Sequence, residues 1–344
     1  MAAVLLEPFD GQGAWTGREM RGRTDWACPL SAAEIAELDT ALAEARRRGA
    51  RPFTMTREDF PLGSLAETFV ALRRTIDEGR GFHLLRGIPV GRYSEEECRL
   101  LAWGLATHLG EPEPQDGQGS LMHDIRDTGR RIETTDDVRG FQTNTELHFH
   151  NDGGDAFMLL CLRTARHGGM SKLVSVAALF NAILARRPDL AAVLQRPFHF
   201  DARGQQAAGR PRVQSVPILC HHLGRMHAIY KRFYIELGQR FPEVPRLTPH
   251  QIEALDMVDA LCNDPEFHLS FQMRPGDLQI GSNHAVLHAR TQYVDHDDPA
   301  LKRHLLRVWL TLPNGRPLPP DYADTREFCH TYARRRACAA APAA

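Results

Sequence analysis

Three residues frame the chemistry: His150 and Asp152, separated by Asn151, and His288 far downstream. On an extended strand alternate side chains share a face, so His150 and Asp152 can reach one point while Asn151 turns away. An imidazole from a distant strand then completes a 2-His-1-carboxylate set. Such a set covers one side of an octahedral metal, suits Fe(II), and leaves positions open for a chelating 2-oxo acid and O2. Open positions mean catalysis rather than structure. The tripeptide also arises by chance, and Asn151-Asp152-Gly153-Gly154 is strong turn chemistry, so a surface turn is the competing reading.

A second feature bears on this. From Arg303 the chain alternates, with Arg303, Leu305, Arg307 and Trp309 on one face and His304, Leu306, Val308, Leu310 and Leu312 on the other. If this strand belongs to a closed sandwich, the arginine face points inward. A buried guanidinium without an anion is costly by several kcal/mol, so an anionic ligand is expected beside it, and the planar fork of arginine suits a carboxylate. His148 shares the face of His150 and would serve a cupin-like H-x-H pair. Asp155 is a poor match for the acidic ligand such a site requires, so His148 is expected to line the pocket or to support a ligand. His284 is expected to support the metal ligands from behind or to be structural, and His221, His222 and His227 to be satisfied strand or loop histidines.

With these residues in view, the chain resembles the taurine dioxygenase-like (TauD/TfdA) family of Fe(II)/2-oxoglutarate-dependent dioxygenases. The resemblance runs from about Gly81 to Leu312. It takes in Gly81-Phe82-His83-Leu84-Leu85-Arg86-Gly87, His150-Asn151-Asp152, Gly168-Gly169-Met170-Ser171, Pro275-Gly276-Asp277-Leu278 leading to Asn283, then His288, Arg303 and Arg307. It implies a mainly β fold with flanking helices around a double-stranded β-helix, or jelly-roll, core. It implies Fe(II) on His150, Asp152 and His288, and 2-oxoglutarate held through its far carboxylate by Arg303 with Ser171. Arg307 would share that anion site or face the substrate. Phe149 stands where the family often has Trp. The reaction implied is decarboxylation of 2-oxoglutarate to succinate and CO2 with O2, coupled to oxidation of the substrate. Hydroxylation is the default, and desaturation, ring formation or cleavage use the same oxidant. Gln142, Asn144, Glu146 and His148 are expected near a small polar substrate, such as an amino acid or natural-product intermediate. Two other classes stay open: a cupin-type metalloenzyme without 2-oxoglutarate, and a non-catalytic binding protein on the same scaffold.

The elements that must position these residues are legible in outline. Ser31 with Glu34, Ser64 with Glu67, and Ser94 with Glu97 read as capping boxes and predict helices over 32–48, 65–79 and 95–109, flanking a strand at 81–86. Residues 112–144 lack periodicity, and a run of that length predicts an active-site loop. Strands are expected at 145–152, 156–163 and 171–175, then helices from Ser175 to about Arg186 and from Pro188. An insertion, 176–275, carries a strand at 213–220 and a helix from Thr248 to Cys262. Its polar segment 201–212 suits a lid closing with the 112–144 loop. One catalytic domain is expected over 1–330, with a disordered tail over 331–344.

Composition excludes several classes. The chain has 344 residues and a formal charge of −1, so it presents no basic field for nucleic acid or anionic lipid. Its seven cysteines show no C-x-x-C spacing and read as free thiols of a cytoplasmic protein. No window approaches the roughly 18 apolar residues of a membrane span. A homo-oligomer is compatible with the sequence.

Overall fold

A computed structural model describes residues 4–131, 138–206, 208–313 and 315–340. Two sheets face each other. The larger has seven strands: Ala27–Pro29, Phe82–Arg86, Leu278–Ser282, Ala156–Arg163, His304–Thr311 and Glu111–Glu113 in that order, with His123–Ile125 also pairing to His304–Thr311. The smaller runs His268–Phe271, Ser171–Ser175, Val286–Arg290, Leu147–His150. This is the expected jelly-roll core with flanking helices.

Between the sheets lie Phe82, Leu84, Phe157, Leu173, Leu269, Phe271, Val286, Leu305 and Trp309. Leu306, Val308 and Leu310, on the other face of the same strand as Leu305, pack instead on the helices Ala32–Arg47, Ser64–Asp77 and Glu95–Leu109. Period-2 alternation thus feeds two different cores, as the sequence predicts. The smaller sheet turns its outer face, including Val174 and Leu287, onto the helices Val176–Arg186, Pro188–Leu194 and Pro249–Asn263.

The helix starts at Ser31, Ser94 and Thr248 carry complete capping boxes. The one expected at Ser64 does not form: Gly63 is the N-cap, and Glu37 of the preceding helix takes both the Ser64 hydroxyl, at 2.8 Å, and the Leu65 N–H, at 3.1 Å. A carboxylate supplied from another helix displaces the local Glu67, because an acceptor already fixed by packing satisfies the free N–H groups as well.

The expected disordered tail is also corrected. Residues Cys329–Ala340 form a helix, with 341–344 outside the described residues. Arg334 reaches Glu111 at 2.8 Å, Arg335 pairs with Asp155, and the Thr331 hydroxyl lies 3.1 Å from that of Thr311. An Arg- and Ala-rich run forms helix readily once its charges find carboxylates on the core.

Residues 112–144 are not a single loop, since they contribute the edge strand His123–Ile125 and a turn of 3-10 helix at Gly140–Gln142. Residues 132–137 of that segment lie outside the described residues. Among the described residues no helix is long and apolar enough to cross a membrane.

Candidate active site

His150 and His288 are direct cross-strand partners in the antiparallel pair Leu147–His150 and Val286–Arg290. Opposed residues of such a pair project from the same face, which brings the two imidazole rings to 4.3 Å between centroids. Asp152 follows the end of the first strand and points the same way. Its carboxylate lies 3.8 Å from His150 Nε2 and 3.7 Å from His288 Nε2, and one donor atom from each of the three falls within 4.8 Å of the others.

The donors are in the right protonation state for a metal. His150 Nδ1 donates to the His148 carbonyl at 2.8 Å, which leaves the Nε2 lone pair facing Asp152. Burial holds both imidazoles below their usual range, His288 well below it. Burial pushes the Asp152 carboxyl up, but neighbouring positive charge, that of Arg307 foremost, more than offsets it, so it stays ionised. Two neutral imidazoles and one carboxylate, with Asp152 and His288 buried and His150 partly so, fit a divalent cation.

Backbone placement here depends on two asparagines. Asn283 Oδ1 accepts the Asp152 N–H at 3.1 Å, and its Nδ2 donates to the Gly153 carbonyl at 2.5 Å. Asn151, turned away from the triad as strand geometry requires, donates to the Ala228 and Asn283 carbonyls, each at 2.6 Å, and accepts the Tyr230 N–H at 2.7 Å. The side of this loop away from the triad is held by His284, which donates to Asp155 at 3.0 Å and is structural as expected. His227 departs from expectation: it is fully buried, and neither ring nitrogen has a hydrogen-bond partner among the described residues.

Arg307 donates from Nη1 to Asp152 Oδ2 at 2.9 Å and from Nε to Gln115 Oε1 at 2.7 Å, so it stands beside the triad. Arg303, four residues earlier, makes no hydrogen bond to the triad among the described residues. It packs against the ring of Tyr293, with its guanidinium carbon 5.1 Å from the centroid, and against Gly169. Gly168 and Gly169 both have positive φ, and a Cβ on Gly168 would sit 2.2 Å from the Gln292 carbonyl, so only glycine makes the turn that leads into Ser171. Arg290, two residues after His288 and on its face, lies over the same Tyr293 ring, 4.7 Å from its centroid. Nη1 of Arg303 and of Arg290 are buried without a hydrogen-bond partner among the described residues. Burial and the charge of Arg303 press Arg290 down to about 10. Two desolvated guanidiniums with unpartnered donors are a combination that an anion would relieve.

The expected substrate residues divide. Gln142 accepts the Arg139 N–H at 2.9 Å and so closes its own turn, Asn144 is half-buried, and Glu146 and His148 are exposed. Residues not singled out in the sequence crowd the site instead: Gln115, His123, Arg290, Tyr293, and a charged group of Lys231, Arg326 and Glu327. His123 stacks on Phe141 at 4.9 Å, and Arg307 lies over the same ring at 5.0 Å. The two segments expected to close over the pocket touch, the Gly117 N–H donating to Gln205 Oε1 at 2.8 Å. A second cluster of donors, Glu95, Asp124 and His304, is already neutralised by Arg99, paired with Asp124, and by Arg163, 3.1 Å from His304 Nδ1.

Residues 46–309 match the model of the taurine catabolism dioxygenase TauD, TfdA family. The chain belongs to this family. As a TauD/TfdA member it is an Fe(II)/2-oxoglutarate-dependent dioxygenase, the class to which the residue pattern points. It is 29% identical to FR-33289 synthase of Streptomyces rubellomurinus, over 95% of this chain and 97% of that protein. It is 30% identical to the taurine hydroxylase-like protein SAT17 of Stachybotrys chartarum, over 89% and 80%. Its fold is like that of an asparagine oxygenase solved with Fe(II), 3-hydroxyasparagine and succinate, with a TM-score of 0.64 and 19% identity over 83% of this chain and 93% of that one.

Proposed function

We propose that this dioxygenase hydroxylates a small polar molecule, an amino acid or a natural-product intermediate, with His150, Asp152 and His288 holding Fe(II). Bound there, the metal supplies activation of O2 coupled to decarboxylation of 2-oxoglutarate to succinate and CO2. The chain's own residues do the rest. Arg303, helped by the Ser171 hydroxyl, takes the far carboxylate of 2-oxoglutarate, and Arg307 fixes Asp152 and faces the substrate side. Phe157, whose ring lies 4.3 Å from that of His288, helps keep water from the metal face.

The observation that carries this reading is the pairing of a largely buried His-Asp-His triad with a buried guanidinium, Arg303, whose Nη1 has no hydrogen-bond partner among the described residues. The asparagine oxygenase and the natural-product relatives support the substrate class. We place the protein in the cytoplasm, a reading supported by the free thiols of its described cysteines. The test is succinate release by the Fe(II)-loaded protein across a panel of amino acids and natural-product intermediates. The reading stands if one class accelerates release, and it is overturned if 2-oxoglutarate neither binds nor turns over.

A further inference from the structure

One imidazole near the triad has no place in the assignments above. His123 lies on the edge strand His123–Ile125, directly opposite Arg307 in an antiparallel pair. Opposed residues share a face, and Ile125 and Leu305, opposed two residues further along, both lie between the sheets. The His123 ring is therefore on the interior side, the side from which Arg307 reaches Asp152. It stacks on Phe141, the ring over which the Arg307 guanidinium also lies, and its side chain is only 14% exposed.

Asp116 fixes the tautomer of this ring. His123 Nε2 lies 2.9 Å from Asp116 Oδ2, while Oδ1 of the same carboxylate accepts the backbone N–H groups of Gln118 at 2.9 Å and Ser120 at 3.1 Å. Burial pushes the Asp116 carboxyl up, but hydrogen bonds from Ser120, His123 and Gln118 more than offset it, so the group is ionised and can only accept. Burial, with the Arg307 charge, holds His123 below its usual range, so the ring is neutral and carries one proton. That proton sits on Nε2, facing Asp116. Nδ1 is left with a lone pair.

His123 Nδ1 is buried and has no hydrogen-bond partner among the described residues. A buried acceptor left unpaired is costly, and a donor arriving with a ligand removes that cost. The loop that carries Asp116 also meets the 201–212 segment, through the Gly117 N–H and Gln205. The acceptor is thus sealed in when these segments touch, and its partner enters before they do.

We infer that His123 Nδ1 accepts a hydrogen bond from the primary substrate, which carries an O–H or N–H donor on the side facing Arg307, and that Asp116 is the positioning residue that keeps this acceptor presented. The inference rests on the dioxygenase reading above and adds a specificity rule to it. A site built to accept a hydrogen bond rejects an analogue that offers only another acceptor there.

The test pairs spectroscopy with kinetics on the full chain. With isotope-labelled histidine and Zn(II) as a diamagnetic stand-in for Fe(II), nitrogen NMR should show His123 as the Nε2–H form, its signals identified by their loss in His123→Phe. Asp116→Asn keeps an acceptor for Gln118 and Ser120 but turns an amide N–H toward the ring, and should move the proton to Nδ1. Succinate release with Fe(II) and saturating 2-oxoglutarate is then measured across the panel of amino acids and natural-product intermediates. For the compound that accelerates it, kcat/KM should fall by about 10-fold in His123→Phe and in Asp116→Asn, chiefly through KM. His123→Asn, which keeps an acceptor near the Nδ1 position, should recover most of the loss. O-methylated and N-methylated forms of that compound tell the two donors apart, since wild type rejects the form in which the donor is blocked.

Thermal melting and 2-oxoglutarate affinity, measured on the same samples, separate loss of folding from loss of the contact. A wild-type ring protonated on Nδ1, or an unaltered kcat/KM in folded His123→Phe, overturns the inference. So does a panel in which no compound shifts the His123 Nδ1 signal of the Zn(II)- and 2-oxoglutarate-bound chain. If 2-oxoglutarate neither binds nor turns over, the dioxygenase reading falls instead, and the spectra of wild type and Asp116→Asn still decide whether Asp116 presents Nδ1.

Discussion

Arg307 Nη1 and Asp152 Oδ2 are 2.9 Å apart, so an arginine on the larger sheet orients a carboxylate carried at the end of a strand of the smaller one. The metal site thus spans both layers of the sandwich, and its geometry depends on their packing. Replacing Arg307 by Met keeps most of the volume but removes the charge and the bond to Gln115. Metal affinity and turnover should each fall by about 10- to 100-fold, the usual cost of losing a residue that orients a ligand. Titration with Mn(II) and steady-state succinate release measure the two, and an unchanged pair of values would mean that Asp152 needs no such support.

Alanine at His150, Asp152 or His288 deletes one of only three protein donors. Stoichiometric Fe(II) binding should be lost in each variant, and a chelator should silence the wild type until Fe(II) is restored. Retention of one iron per chain by His150→Ala would sink the triad.

Arg303 and Arg307 occupy the same strand face but separate surroundings, one against Gly169 and Tyr293, the other against Asp152. Arg303→Ala should cost 2-oxoglutarate affinity on the order of 3–5 kcal/mol, the range for breaking a buried charge pair. Arg307→Ala should affect it less. Equilibrium titration of both decides, and the roles exchange if Arg307 shows the larger loss.

What the sequence made legible was local and periodic. His150-Asn151-Asp152 announces a shared face within three residues, and the alternation from Arg303 to Leu312 announces a strand with two cores. The helix at Ala32–Arg47 declares itself by its capping box and ends within a residue of expectation. What stayed hidden depends on partners distant in sequence. Ser64 carries the same local signal as Ser31, but Glu37 outcompetes Glu67 for it. Lys231, Arg326 and Gln115 look like ordinary surface residues until folding carries them to the metal loop. The arginines after Tyr332 read as solvated because Asp155 and Glu111, which neutralise them, lie far upstream.

Asn283→Ala tests one of these distant contacts. It removes the acceptor of the Asp152 N–H and the donor to Gly153, leaving buried polar groups unpaired. The variant should lose on the order of 1–3 kcal/mol per unsatisfied group. Denaturant unfolding monitors the loss, and wild-type stability would show that the loop holds itself.

A pH dependence follows from His83, buried on the strand Phe82–Arg86, its Nδ1 3.4 Å from Arg80 Nη2. Burial, with the nearby Arg80 charge, lowers it to about 4. Its folded value lies below the unfolded one, near 6.5, so the unfolded chain binds more protons between the two. The stability it contributes is complete above pH 6.5 and is lost as pH falls toward 4, to a total on the order of 3 kcal/mol. His83→Asn should flatten the stability profile across that window relative to wild type. Parallel profiles would assign the acid sensitivity elsewhere.

The helix Cys329–Ala340 closes on Asp155, and the strand holding Arg307 lies only a short way before it. A ribosome releases His150 and Asp152 long before His288, Arg307 or Arg335 exist as polypeptide. While they wait, the first two ligands have neither their cross-strand partner nor the guanidinium that orients the carboxylate. The first two ligands alone therefore make no site, and metal binding is coupled to the docking of the later strands rather than to the His150-Asn151-Asp152 segment by itself.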